Sequence, residues 1–293
     1  MNVFPSSLYA TQKITIQLRW FHNFIFAGYY AAIEQGFYRE AGLDVSFIEG
    51  SATTSSVDQV LAGNAQFGTA NSKILIDRFS GKPVVALATI FQHSPLVLLT
   101  QKKSGIKNLH DLVGKQVFFD KNRDVEITAS FISEGIPLNK LQFIDKKYSI
   151  DNYFDPAISG IAAFLTNQPY FLMEQNLPYS IIYPSTYGID FYGHCLFTTQ
   201  NEIKEHPKRV QAFLKASLRG WEYALRKPEE IIDLLLTKYR VKESREHIRY
   251  SADKVKELVQ PDLIAIGHMN PGRWKHMADT FVKLKLIDPD YSL

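Results

Sequence analysis

Cysteine is all but missing from this chain: Cys195 is the only one. Without a second thiol there is no intrachain disulfide, and no metal site built on paired cysteines can form. Long hydrophobic runs are missing too, so no stretch reads as a membrane-spanning helix. An excess of either charge is also lacking. The 33 Lys and Arg residues face 30 Asp and Glu, a formal net charge of +3 over 293 residues. The basic residues are dispersed among acids, which argues against nucleic acid or an anionic membrane as partner. Neither G-x-G-x-x-G nor G-x-x-x-x-G-K-[ST] occurs, leaving dinucleotide and P-loop binding without support. H-E-x-x-H and G-x-S-x-G are absent, and the eight histidines show no metal-ligand spacing. No internal repeat and no low-complexity tract interrupts the chain.

What is present is a composition able to bury a sizeable core, 45% hydrophobic and 22% charged. From residue 14 the pattern switches between strand and helix periods. "ITIQLRW" and "LDVSFIEG" alternate like strands. Between them Tyr30, Ile33, Phe37 and Ala41 recur on one helical face, with Gly42 as the stop. A short helix capped by Ser55 or Ser56 ends at Gly63, and "QFGTAN" and "PVVALATIFQ" read as further strands. A second series follows: strands at "LVLLTQ", "QVFFD", "LQFID" and "SIIYP", a helix at "EITASFISEG", and one or two helices in "DPAISGIAAFLTNQPYFLMEQ" broken at Pro169. After "CLFTTQ" the chain reads as mostly helical. Its first long helix carries Val210, Phe213, Leu214, Leu218, Trp221 and Leu225 on the apolar face.

This plan predicts an α/β protein with parallel crossovers arranged as two lobes. The expected division is a flexible N-terminus at 1–12, one lobe from 13–97 plus 198–293, and a second lobe from 98–197. A ligand cleft would face the carboxyl ends of the strands. The start, "MNVFPSSLYATQK", reads either as the remnant of an export signal cleaved after Ala10 or as a flexible end.

Polar and aromatic residues gather where strands stop and helices begin. Trp20, His22 and Asn23 follow the first strand in "LRWFHNFIFAGYYAAIEQG". Ser51, Thr53 and Thr54 follow the second, Asn71 and Ser72 the third, and Gln92, His93 and Ser94 the fourth. In the second series Glu126 opens a helix, and Tyr187, Asp190 and Tyr192 lie in "STYGIDFYGH". Hydroxyl and amide groups at helix N-termini sit beside free N–H donors, while Trp and Tyr stack on planar rings. Each residue also has a plainer reading: Trp20 as core, His22 as a satisfied loop histidine, Glu126 as a first-turn acid complementing the helix dipole. The segment "RWKHMAD" reads as a solvated face with Trp274 and Met277 turned inward.

Several stretches carry a resemblance: "LRWFHNFIFAGYYAAIEQGFYREAGLDVSFIEG", "VDQVLAGNAQFGTAN" and "HPKRVQAFLKASLRGWEYALRKPEEIIDLL". They resemble the thiamine-pyrimidine-synthase/sulfonate-binding superfamily of periplasmic solute-binding proteins, over about residues 13 to 288. The block "GFYREAGLDV" is the most specific part. The resemblance implies the two-lobed, hinged type II periplasmic-binding-protein fold and an extracytoplasmic monomer. Its partner would be a small ligand, pyrimidine-like or else sulfonate- or nitrate-like, delivered to an ABC permease; related branches are ligand sensors of signalling proteins. A third branch comprises enzymes that make the thiamine pyrimidine from an active-site histidine and pyridoxal phosphate, with iron. That pattern needs a Lys followed four positions later by His; "GTANSKILID" offers Lys73 and no His, and the cysteine-rich motif is absent. The expectation is therefore a non-enzymatic binder without cofactor or metal. Its ligand would be a thiamine pyrimidine precursor, held by Trp20, His22, Asn23, Asn71, Gln92, Glu126, Tyr187 and Tyr192.

Overall fold

The stretches that alternate in sequence do pair into sheets. The computed structural model describes residues 11–51, 53–145 and 149–290. Of the flexible N-terminus expected at 1–12, residues 1–10 and the cleavage point after Ala10 lie outside the described residues, and Gln12 already belongs to the first strand. In chain order the first strands are β1 (Gln12–Gln17), β2 (Leu43–Ile48), β3 (Phe67–Ala70), β4 (Val84–Thr89) and β5 (Leu96–Gln101). They are followed by β6 (Gln116–Phe118), β7 (Gln142–Phe143), β8 (Gly160–Phe164), β9 (Tyr179–Ile182) and β10 (Cys195–Thr199). One five-stranded sheet has the order β2-β1-β3-β10-β4, the other β7-β6-β8-β5-β9.

The chain divides into two compact units. The first holds the described residues up to Ala70, with Pro83–Leu87 and Leu196–Val241; the second holds Asn71–Lys82, Ala88–Cys195 and the described residues from Lys242 onward. The sequence-based lobes had placed 71–82, 88–97 and 242–293 with the first sheet. Packing accounts for the difference in the closing helices. Met277, Ala278 and Phe281 of the helix Pro271–Lys283 are buried with Val125, Ala129, Phe191 and Tyr192 in a single apolar cluster of the second unit.

In the first unit β1 runs parallel to both β2 and β3, with Ile14 opposite Val45 and Ile16 opposite both Phe47 and Phe67. The stripe expected at Tyr30, Ile33, Phe37 and Ala41 is interrupted: Gly36 adopts a left-handed conformation (φ 76°) between the helices Ala27–Glu34 and Phe37–Glu40. Residues Ala27 to Ala32 are all buried, so the first of these helices is enclosed rather than amphipathic. Its neighbour is the helix Pro207–Arg226. A Cβ added to Gly28 would lie 2.1 Å from Trp221 Cγ, and one added to Gly220 would lie 2.0 Å from the Gly28 carbonyl. Only glycines let the two backbones approach this closely. The buried face of the long helix therefore runs through Ala216, Ser217, Gly220 and Ala224 as well as Val210, Phe213 and Trp221. Leu214, Leu218 and Leu225, expected inside, are only half-buried.

In the second unit β5 lies between β8 and β9 and is antiparallel to both, while β6 is parallel to β7 and β8. Alternate residues of β5 feed two apolar layers, Leu96 and Leu98 on one face, Val97 and Leu99 on the other. The strand β8 occupies part of the stretch read as helical. Its alanines favour a helix, but the segment is buried at the centre of a sheet, where tertiary pairing overrides local propensity. Gln168–Glu174 is helical, with Pro169 in its first turn rather than at a break.

Candidate functional site

At the end of β1 the backbone is fixed before any ligand is considered. The buried Gln17 amide donates to the carbonyls of Leu18, Ile48 and Glu49 at 2.9, 3.2 and 3.2 Å. Arg19 N donates to Thr69 Oγ1 at 2.9 Å, and Gly50 N to the Trp20 carbonyl at 3.1 Å. Gly50 is required here, since a Cβ would lie 2.5 Å from the Leu18 carbonyl. This frame presents Trp20, half-buried, with its ring edge-on to Phe21 at 5.5 Å; Phe21 itself is 51% exposed.

The other two residues of that loop are committed to the fold. His22 Nδ1 shares a hydrogen bond with the Tyr30 hydroxyl at 2.9 Å, and its ring packs 4.9 Å from Tyr239. Burial lowers its pKa against the opposing pull of Glu49. Asn23 caps the following turn: its Oδ1 accepts from Ile25 N at 2.9 Å, and its Nδ2 donates to the Phe21 carbonyl at 2.8 Å. His22 answers to its plainer reading as a satisfied loop histidine, and Asn23 caps the turn.

The second unit assembles a carboxyl site. Glu126, in the first turn of the helix Val125–Ser133, is 1% exposed. Its Oε1 accepts from Ser72 Oγ at 2.7 Å and from Ser94 Oγ at 3.2 Å. Its Oε2 is buried with no hydrogen-bond partner among the described residues. Burial raises the pKa of Glu126, with the two serine hydroxyls opposing. Asp124, two residues earlier, is also buried and also raised, chiefly by burial. Its Oδ2 accepts from Asp120 N at 2.9 Å. Asn71 sits beside Ser72, its Oδ1 accepting from Lys73 N at 3.2 Å.

Gln92, Tyr187 and Tyr192 do not join this group as expected. The buried Gln92 amide donates to the carbonyls of Thr89 and His268, at 3.3 and 3.1 Å, and braces the backbone. Tyr192 is fully buried; its hydroxyl accepts from Asn270 N at 2.8 Å, and Trp274 lies 5.2 Å away. Its ring face is covered by the Arg273 guanidinium at 4.3 Å, so the stacking role assigned to it is closed. The half-buried Tyr187 packs on the core of its unit and accepts from Leu109 N at 3.3 Å. The organising residue here is Arg273, which donates to the Gln92 carbonyl at 2.6 Å and ion-pairs with Asp190 at 3.3 Å. Asp190 also holds His93 Nδ1 at 2.8 Å, and that hydrogen bond is the main cause raising the His93 pKa. The segment "RWKHMAD" had read as a solvated face; Met277 is buried as expected, whereas Arg273 is a clamp.

Among the described residues no helix is long and apolar enough to cross a membrane, and no three His, Cys, Asp or Glu side chains are grouped to hold a metal ion.

With this geometry in hand, comparison with known proteins is informative. The sequence model for NMT1/THI5-like proteins matches residues 23–231. The chain belongs to the NMT1/THI5-like family. Among relatives, the riboflavin-binding protein RibY of Chloroflexus aurantiacus is 23% identical over 243 residues, covering 79% of this chain and 68% of that protein. The 4-amino-5-hydroxymethyl-2-methylpyrimidine phosphate synthase of Legionella pneumophila is 26% identical over 232 residues, 76% of this chain and 72% of the synthase. Among solved structures, the periplasmic aliphatic sulphonate binding protein SsuA of Escherichia coli matches with a TM-score of 0.72 at 14% identity, covering 94% of this chain and 88% of that one. At such identity the likeness is one of fold, and this NMT1/THI5-like chain has the α/β periplasmic-binding-protein fold expected for it.

The family's two activities make the region after β3 decisive. Lys73 is exposed, at the start of the short helix Ile74–Phe79. Four positions on, where the synthase pattern places His, this chain has Asp77, ion-paired with Lys82 at 2.9 Å. These residues do not fit a pyridoxal phosphate anchor with its neighbouring histidine.

Proposed function

We propose that this family member is an extracytoplasmic solute-binding protein. It captures a small planar nitrogen heterocycle, most closely a thiamine pyrimidine precursor, and delivers it as a monomer to an ABC permease. The observation that carries this reading is Glu126: a buried carboxyl group with one oxygen satisfied by Ser72 and Ser94 and the other without a partner. As the neutral acid, Oε2–H donates to a ring nitrogen; ionised, Oε2 accepts from an exocyclic amino group. An aminopyrimidine offers both. A sulfonate or nitrate carries no proton to donate, so it suits the neutral acid alone and is repelled by the ionised one. The names of the relatives point the same way, since riboflavin and the hydroxymethylpyrimidine share a six-membered ring with nitrogens at positions 1 and 3.

A thermal-shift panel of aminopyrimidines, thiamine, riboflavin, taurine, an alkanesulfonate and nitrate tests the assignment. Stabilisation by an aminopyrimidine or riboflavin is expected; stabilisation by the sulfonates alone overturns it.

The synthase among the relatives supports a second reading, an enzyme of the pyridoxal-phosphate type. Asp77 in place of the required His speaks against it. Incubation with pyridoxal phosphate followed by a visible absorbance scan separates the two: an internal-aldimine band lost in Lys73→Ala would establish the enzyme.

A further inference from the structure

The second unit contains a cavity that the proposed solute site does not use. It has a volume of about 130 Å³, and its lining includes Leu99, Ile161, Leu172 and Tyr179. Three of these, Leu99, Ile161 and Leu172, belong to one buried apolar cluster, against which Tyr179 packs. The lining also holds Asn152 and Thr100, whose buried hydroxyl has no partner among the described residues, and the Gln101 amide donates to the Asp155 carbonyl at 3.3 Å; Lys103, exposed, is the only charged side chain of the lining among the described residues. Glu126 is held by Ser94, just before β5, whereas Gln101 closes that strand. At ~3.3 Å per residue, roughly 20 Å of strand separates the cavity from the Glu126 group.

Protein interiors are packed closely enough that voids larger than a water molecule are few. A dry apolar cavity of roughly 150 Å³ admits benzene. A void of similar size, walled mainly by Leu, Ile, Phe and Tyr, with Thr100, Gln101 and Asn152 as neutral polar groups and one ammonium group in its lining, matches a single aromatic ring bearing one negative group. From this geometry we infer a second small-molecule site in the chain, for a monocyclic aromatic carboxylate. The ring fills the apolar part, and the carboxylate meets Lys103.

Titration of the full chain with 4-fluorobenzoate, followed by ¹⁹F NMR, reads this site directly, with fluorobenzyl alcohol as the uncharged control. Saturable broadening by the carboxylate is expected, with the alcohol at least tenfold weaker. Leu172→Phe, which fills the void, abolishes it. Lys103→Ala, a surface change with an unaltered melting curve, brings the carboxylate down to the level of the alcohol. Aminopyrimidine binding persists in both variants, which separates this site from the first. Absence of carboxylate binding, equal binding of the alcohol, or full binding by the Lys103 variant overturns the inference. If Leu172→Phe fails to fold, the Lys103 comparison alone decides.

Discussion

The Ser72 hydroxyl donates to Glu126 Oε1 at 2.7 Å, while Glu126 Oε2, equally buried, has no partner among the described residues. A half-satisfied buried carboxyl is costly, with the uncompensated group worth on the order of 1–3 kcal/mol. Folding leaves it there because the helix Val125–Ser133 packs Val125 and Ile127 into two different apolar clusters, which fixes the turn that carries Glu126. A ligand that engages Oε2 removes the penalty, which gives binding a driving force of its own.

This arrangement has a pH signature. Burial raises the Glu126 pKa above its ordinary 4.5, so the folded state keeps a proton that the unfolded chain has released. The stability that this group contributes is full below 4.5 and is lost as pH rises through its folded pKa. Glu126→Gln carries no charge at either end. Urea midpoints measured at pH 4.5, 6 and 8 are therefore expected to fall less steeply with pH in Glu126→Gln than in the parent chain. Parallel profiles would show that Glu126 is already ionised in the fold.

The two serines are expected to contribute unequally to solute affinity. Ser72 is fully buried and 2.7 Å from the carboxyl; Ser94 is only half-buried and 3.2 Å away. Removal of one neutral hydrogen bond costs about 1 kcal/mol, or roughly fivefold in affinity. Calorimetric titration with the stabilising heterocycle should show Ser72→Ala losing at least that factor and Ser94→Ala less. Unchanged affinity in both would place the solute elsewhere.

Much of this was readable from residue order, and the failures have physical causes. Strands such as β1 and β2 announce themselves because one face is buried and period-two alternation results. β8 does not, because neither of its faces is exposed and Ala162 and Ala163 carry no strand signal. Large apolar residues mark a helix face only where the neighbour stands at ordinary distance; at Gly28 and Gly220 the interface is made of small residues, which no hydrophobic count detects. The site divides likewise. Glu126 stood out as an acid at a helix start, and Trp20 as an aromatic at a strand end. Gln92 and Tyr192 occupy equivalent junctions, but their side chains are held by His268 and Asn270, 176 and 78 positions along the chain.

The helix crossing itself is testable. Gly220→Ala sets a methyl group 2.0 Å from the Gly28 carbonyl and 2.7 Å from Ala32 Cβ, contacts that backbone cannot yield without separating the helices. Overpacking of this kind costs about 1–3 kcal/mol and more where backbone is the obstacle. A urea midpoint lowered by at least the equivalent of 2 kcal/mol is expected, whereas Gly63→Ala, whose added Cβ meets nothing within 4 Å and which pays only for its positive φ of 79°, should cost less. Equal costs at the two sites would mean that the helices part easily.

An acid response of opposite sign to that of Glu126 comes from His247. Its ring is buried, stacked on Tyr170 at 4.4 Å with 9° between planes and edge-on to Phe171 at 4.8 Å. Burial lowers its pKa from the ordinary 6.5 to about 4. Between those values the unfolded chain binds a proton that the folded chain refuses, so stability falls as pH drops from 6.5 and levels off below about 4. His247→Phe keeps the stacking and removes the titration. Thermal melts at pH 7, 5.5 and 4.5 are expected to converge on or above the parent at low pH in the variant. The Glu126 contribution has the opposite sign, so the two partly offset each other in the parent, and the double variant His247→Phe/Glu126→Gln should have a flatter profile than either single variant. A single variant flatter than the double would mean that the two groups do not titrate independently.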